Sequence, residues 1–181
     1  MTYGFTGTHK GLTSVQDLQL IRVLGLINKN RRIDDQICKC GDTKYHHPVG
    51  GYCNGCRQCY NFQLAQTVYE PISFHHGDCI GADATAHDYA ANLKFHIVIH
   101  PPLDAKARAF KPGKVLECKP YLVRNHDIVD VADTLIACPD GPERLRSGTW
   151  ATVRYALRQR KQVYLIWPDG KLQTLKSRVK V

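Results

Sequence analysis

The strongest constraint on the fold is a helix start of small residues set between two apolar runs. The first run is residues 134–138, Thr-Leu-Ile-Ala-Cys, and the second is residues 163–167, Val-Tyr-Leu-Ile-Trp. Between them lie a turn-rich bridge, residues 139–146, and then Ser147, Gly148, Thr149 and a series of helix formers. Short apolar runs flanked by turn residues read as buried strands, and the intervening segment reads as a helix. The spacing therefore predicts strand, loop, helix, strand. The first turn of a helix leaves backbone N–H groups without intrahelical partners and carries a partial positive charge. Small residues at that point let a phosphate approach.

The rest of the chain repeats the pattern. Residues 2–6, 71–76 and 95–99 read as further strands. Val15, Leu18, Ile21, Leu24 and Leu26 give helical spacing to about Asn28, with Thr13 or Ser14 as cap and Asp17 in the first turn. Ala84, His87 and Ala91 mark a second helix, and Leu122, Ile128, Val129 and Ala132 a third. Residues 103–120, with Pro, Gly and five cations, read as a mobile surface loop. Alternating strands and helices predict an α/β fold, a mainly parallel sheet covered on both faces, over a single domain of residues 1–181. In such sheets ligands bind beyond the carboxyl ends of the strands.

Three loops there carry suitable residues. Gly7, Thr8 and His9 follow the first strand, and Gly77, Asp78, Gly81 and Asp83 follow the second. Ser147, Gly148, Thr149 and Thr152 open the last helix, and Arg124 and Asn125 lie in the first turn of the third. Each has an ordinary alternative. Asp83 can be a helix cap, His87 a packing residue, and Arg124 an exposed cation paired to Asp127 or Asp130.

The chain of 181 residues has a formal charge of +9, which favours anionic partners: nucleotides, phosphorylated metabolites or nucleic acid. No apolar run approaches the ~20 residues that span a bilayer, so no membrane partner is expected. The first residues lack a basic start followed by a long apolar stretch, and a cytoplasmic location is expected.

Five of the eight cysteines, Cys38, Cys40, Cys53, Cys56 and Cys59, lie in one short polar stretch with His47. In a chain read as cytoplasmic, such clustering points to metal rather than disulfides. A small polar insert, residues 36–62, buries too little to hold itself together, and a structural Zn²⁺ would supply the missing stability. These six side chains compete for four ligand places. Cys38, Cys40, Cys53 and Cys56 are the first choice, with His47 or Cys59 able to replace one of them. Sulfur-rich ligation implies a closed structural site rather than a catalytic one.

Residues 77–87, Gly-Asp-Cys-Ile-Gly-Ala-Asp-Ala-Thr-Ala-His, together with Arg124-Asn125 and with residues 147–152, Ser-Gly-Thr-Trp-Ala-Thr, resemble the SLOG superfamily. This Rossmann-like group includes the DNA-processing protein A family and the Lonely Guy phosphoribohydrolases. The resemblance covers nearly all the chain outside the cysteine insert. It implies a Rossmann-like fold with a pocket for a nucleotide or an ADP-ribose-like phosphate ligand. His9 stands where relatives often carry Arg. Thr152 stands where the hydrolases carry a catalytic Glu, which removes the expected acid/base group; Asp78, Asp83 and Asp140 could substitute. Three functions follow as expectations: nucleotide binding first, then N-glycosidic hydrolysis of a nucleoside monophosphate, then single-stranded DNA binding. Whether the chain is an enzyme, and whether it forms a homo-oligomer, both stay open.

Overall fold

The computed structural model describes residues 1–29 and 71–176. Seven strands form one sheet in the order β4-β3-β2-β1-β5-β6-β7. In chain order the elements are β1 (Thr2–Gly7), α1 (Ser14–Lys29), β2 (Ser73–His76), α2 (Ala82–Asn92), β3 (His96–Ile99), β4 (Lys114–Val115), α3 (Tyr121–Val131), β5 (Thr134–Cys138), α4 (Gly148–Arg158), β6 (Gln162–Ile166) and β7 (Leu172–Leu175). Every pairing is parallel except β6 with β7. This is the α/β Rossmann-like architecture with a mainly parallel sheet.

Alternation along the strands fills two cores. Ile136 and Cys138 of β5 join Phe5, Phe74 and Ile99 under α1 and α2. Leu135 and Ala137 of the same strand join Val129, Trp150, Val153 and Ala156 under α3 and α4. A strand buried on both faces can be apolar at every position, and residues 134–138 are read correctly as such a strand. The chain runs outward from β1 through β2, β3 and β4, then returns to β5 on the other side of β1. The β1/β5 boundary is therefore the topological switch point, where the connections diverge and leave a crevice.

Local chemistry sets the helix starts. Thr13 Oγ1 accepts from the Gln16 N–H at 3.1 Å, and Gln16 Oε1 accepts from the Thr13 N–H at 3.2 Å, a reciprocal capping box. Gln16 also donates to the Pro139 and Ile166 carbonyls at 2.8 and 3.0 Å, tying α1 to the ends of β5 and β6.

Two strands were hidden from sequence. β4 is two exposed residues, and β7 lies in the basic tail, where its turn from Pro168 pairs it antiparallel to β6. The segment expected to be a mobile loop is instead anchored. Ala109 N–H donates to the Asp78 carbonyl at 2.7 Å, Ile80 N–H to the Ala107 carbonyl at 3.0 Å, and Val115 pairs with Ile99.

Candidate functional site

Four loop or helix-start segments surround the switch point: the β1 end, the loop after β2, the first turn of α3 and the start of α4. The β1 end is packed tightly. A Cβ on Gly7 would lie 2.4 Å from the Ala82 Cβ, so the start of α2 docks directly on this residue. Gly81 adopts φ +90°, and a Cβ there would lie 2.5 Å from the His9 carbonyl oxygen. Both glycines allow backbone contact that no other residue permits. The Thr8 carbonyl accepts from the Ala82 N–H at 3.1 Å, and His9 is left exposed at the rim.

The loop after β2 is organised by two carboxylates that point inward. Asp83 is buried, and its Oδ2 accepts from the N–H groups of Gly77 and Cys79 at 3.1 and 3.2 Å. Asp83 therefore shapes the preceding loop, while Gly81 occupies the cap position of α2 with no side-chain cap bond. Burial pushes the Asp83 carboxyl up, and the Arg124 charge opposes that shift. Asp78 is fully buried and sits in the left-handed region at φ 55°. Its carboxylate accepts from Arg108 Nε at 2.9 Å and from the Lys111 N–H at 3.0 Å. It ties residues 108 and 111 of the 103–120 segment to the loop after β2.

Arg124 lies in the first turn of α3 and is buried, with 4% side-chain exposure. It does not pair with Asp127 or Asp130, which take Lys119 and Tyr155 instead. Its Nη2 donates to the Cys79 Sγ at 2.8 Å, and its Nη1 lies 4.0 Å from Asp83 Oδ2. The guanidinium fills the space over Gly77, where a Cβ would lie 1.2 Å from Nη1. It also sits 4.7 Å from the centroid of the Tyr121 ring, a cation–π contact. Its Nε has no hydrogen-bond partner among the described residues. Burial pushes the Cys79 thiol up to about 12, so it remains a neutral thiol beside the cation.

At the start of α4, Ser147 caps the helix, its Oγ accepting from the Trp150 N–H at 3.4 Å. Thr149 Oγ1 donates to the Gly7 carbonyl at 3.0 Å and joins α4 to the β1 end. Asn125 Nδ2 donates to Thr152 Oγ1 at 2.8 Å, which donates to the Gly148 carbonyl at 2.9 Å. Asn125 and Thr152 thus form a buried clip between α3 and α4. Tyr121 leans over the helix start: a Cβ on Gly148 would lie 2.5 Å from its hydroxyl. Its ring is 6.2 Å from that of His9.

The sequence reading missed Tyr121. The signal was available, because positions 121 and 124 fall on one helix face. Of the three acids that could replace a missing catalytic Glu, Asp78 and Asp83 are engaged as described. Asp140 pairs with Arg144 at 2.8 Å and Lys10 at 3.3 Å, and the Arg144 hydrogen bond holds its carboxyl below the usual range.

A histidine network flanks the site. The Asp78 N–H donates to His76 Nδ1 at 3.0 Å, so the ring proton of neutral His76 is on Nε2, which faces His87 Nδ1 at 3.1 Å. Burial lowers His76 to about 3, with His87 and Arg124 adding to the shift, and lowers His75 and His100 to about 4. A depressed folded-state value means that the unfolded chain binds these protons first, so stability is lost as pH falls below about 6.5. For His76 alone the loss between pH 7 and pH 5 is about 2 kcal/mol. Urea unfolding at the two pH values measures it, and equal stabilities would contradict the buried neutral network.

Among the described residues, no group of three His, Cys, Asp or Glu side chains is placed to hold a metal ion. Cys38, Cys40, His47, Cys53, Cys56 and Cys59 lie outside the described residues, as does the 36–62 insert. No described helix is long and apolar enough to cross a membrane.

No protein-family model matches the chain, and no curated protein matches it. Solved structures do. DNA processing protein A from Helicobacter pylori, described for its single-stranded DNA binding mode, is similar with a TM-score of 0.53 at 14% identity. The match covers 91% of this chain and 64% of that one, so this chain spans less than two thirds of its neighbour. TM1055, a structural genomics target, is similar with a TM-score of 0.52 at 12% identity, over 91% of this chain and 73% of that one. At these identities the likeness is one of fold. It is a Rossmann-like fold.

Proposed function

We propose that the domain binds the phosphate of a nucleotide or nucleotide-derived ligand at the β1/β5 switch point. One observation carries this reading: a capped helix start and a buried guanidinium with an unmade hydrogen bond lie on either side of one side chain, Tyr121. Gly148 and Thr149 open α4 with N–H groups that have no intrahelical acceptor. A buried donor left unpaired costs about 1–3 kcal/mol, and an anion that accepts from Arg124 Nε removes that cost. Tyr121, between Arg124 and Gly148, offers a hydroxyl to the same ligand. The resemblance of three motifs to the SLOG superfamily supports the same reading.

The test is calorimetry of the full chain with adenosine 5′-monophosphate against adenosine. Binding that requires the phosphate is expected, and equal behaviour of the two compounds would contradict it. The hydrolase reading has less support, because Asp78, Asp83 and Asp140 are each committed to structural partners. Binding to single-stranded DNA is supported by the charge of +9 and by the fold.

We also propose, from cysteine spacing alone, that residues 36–62 hold one structural zinc. Elemental analysis of chain purified under reducing conditions is expected to find about one zinc per chain. A metal-free protein with the same thermal stability would contradict this.

A further inference from the structure

Beyond the carboxyl ends of β5 and β6 lies a second opening, a groove of about 420 Å³. Gly141 and Pro142, in the loop after β5, form one wall. The turn from β6 to β7 forms the other, with Trp167, Pro168, Asp169, Lys171 and Gln173. Ligands of a parallel sheet bind at this end of the strands, and small-molecule sites of this size pair apolar walls with a few polar groups.

Both walls are fixed in advance. Trp167 N–H donates to the Lys171 carbonyl at 2.9 Å, and Gly170 N–H to the Trp167 carbonyl at 2.8 Å. Thr13 Oγ1, just before α1, donates to the Pro168 carbonyl at 2.7 Å and holds the turn from behind. Trp167 Nε1 donates to Gln173 Oε1 at 3.0 Å, and its ring lies 5.8 Å from that of Trp150, so the indole is held while staying partly exposed. Trp150 in turn donates to the Gly141 carbonyl at 3.1 Å and secures the opposite wall. A Cβ on Gly141 would meet nothing within 4 Å, so that wall leaves room.

The charge lining the groove is balanced, one carboxylate and one ammonium. Asp169 and Lys171 are near neighbours, and Asp169 Oδ1 accepts from the Lys171 N–H at 3.0 Å. Their charged ends nevertheless form no ion pair, with each other or with any other described residue. A simple anion or cation would use one of these charges and leave the other facing it with the wrong sign. A neutral apolar molecule would use neither. A small molecule that carries both charges on an apolar body uses the pair and the indole together.

We infer that this groove is a binding site for a free α-amino acid with an apolar side chain. The ligand's carboxylate faces Lys171 and the Gln173 amide, its ammonium faces Asp169, and its side chain lies against the Trp167 indole and the two prolines. This site stands apart from the phosphate reading of the α4 start and does not rest on it.

The full chain is titrated with L-leucine, glycine, L-leucinamide and N-acetyl-L-leucine, following tryptophan emission. The chain has two tryptophans, and Trp150 is 4% exposed, so a change in emission reports Trp167. L-Leucine is expected to give a saturable change. Glycine, which lacks the side chain, is expected to bind about tenfold or more weakly. L-Leucinamide lacks the carboxylate and N-acetyl-L-leucine lacks the ammonium; each is expected to bind about two- to fivefold more weakly, the range of an exposed ion pair. Lys171→Gln is expected to weaken L-leucine by a similar factor and not to weaken L-leucinamide. Asp169→Asn, which keeps an acceptor for the Lys171 N–H, is expected to weaken L-leucine and not N-acetyl-L-leucine. No saturable change with L-leucine overturns the inference. So do equal affinities for L-leucine and its two singly charged analogues, and so does a uniform loss of all four compounds in either variant, which would mark the two residues as merely structural.

Discussion

Arg124→Leu is expected to destabilise the fold by about 3–5 kcal/mol and to abolish nucleotide binding. The substitution leaves Asp83 buried without a cation, and burial already pushes that carboxyl up. It also removes the donor to Cys79 and the group that fills the space over Gly77. The interaction can be removed from the other side. Gly77→Ala places a methyl where Nη1 lies, so the guanidinium must leave, and a similar loss is expected. Two further variants separate pairing from packing. Asp83→Asn keeps an acceptor for the Gly77 and Cys79 N–H groups but removes the buried charge. Combined with Arg124→Leu it is expected to cost less than the sum of the two, with a coupling of about 1–3 kcal/mol by urea unfolding. Additive losses would show that Arg124 and Asp83 act independently.

Gly7→Ala is expected to cost about 2–3 kcal/mol, at the high end of overpacking, because the new methyl meets the Ala82 Cβ at 2.4 Å. Ala82 is fully buried, and its N–H is bonded to the Thr8 carbonyl, so the clash can be relieved only by moving the start of α2 away from β1. Gly148→Ala is the informative contrast. Its new methyl meets the far end of the half-buried Tyr121 ring, Cε1 and hydroxyl both at 2.5 Å, and at this first helical position alanine gains over glycine only part of its helix-interior advantage of about 1 kcal/mol. Stability is therefore expected to fall less than in Gly7→Ala. Thermal unfolding of the two variants measures the difference. Equal losses would mean that Tyr121 is as fixed as the α2 start.

Much of this arrangement was legible as an alternation of strands and helices, but the face of α1 was not: Val15, Leu18, Ile21 and Leu26 are exposed, and Leu20, Val23, Leu24 and Ile27 are buried. Residues 134–138 and 163–167 read as buried strands and lie in β5 and β6, which ends at Ile166, and the alternation of strands and helices leads to the mainly parallel sheet. β4 was not legible, since two exposed residues carry no period. β7 was obscured by the lysines that flank it. The site loops were identifiable from Gly, Ser and Thr, but not the direction of each side chain. Asp78 and Asp83 sit two and seven residues after His76, both acidic and both in a glycine loop, yet one anchors the 103–120 segment and the other folds back onto Gly77 and Cys79. The Asp78 direction comes from a long-range partner, Arg108, and that of Asp83 from the turn of the loop that brings the Gly77 and Cys79 N–H groups back to it, neither of which residue types alone reveal. Tyr121 shares a helix face with Arg124, a spacing visible in sequence, but its closeness to Gly148, in another helix, is not.

The central claim is that an anion occupies the start of α4, and Ser147→Asp tests it most directly. Aspartate is as good a helix cap as serine, so the fold and α4 are expected to be kept. Its carboxylate, however, takes the place an incoming phosphate needs and repels it, lowering affinity about tenfold or more. Calorimetry with adenosine 5′-monophosphate is expected to show binding to the unaltered chain and that loss in the variant, at equal or higher melting temperature. Undiminished binding by a folded Ser147→Asp protein would place the phosphate elsewhere and contradict the account.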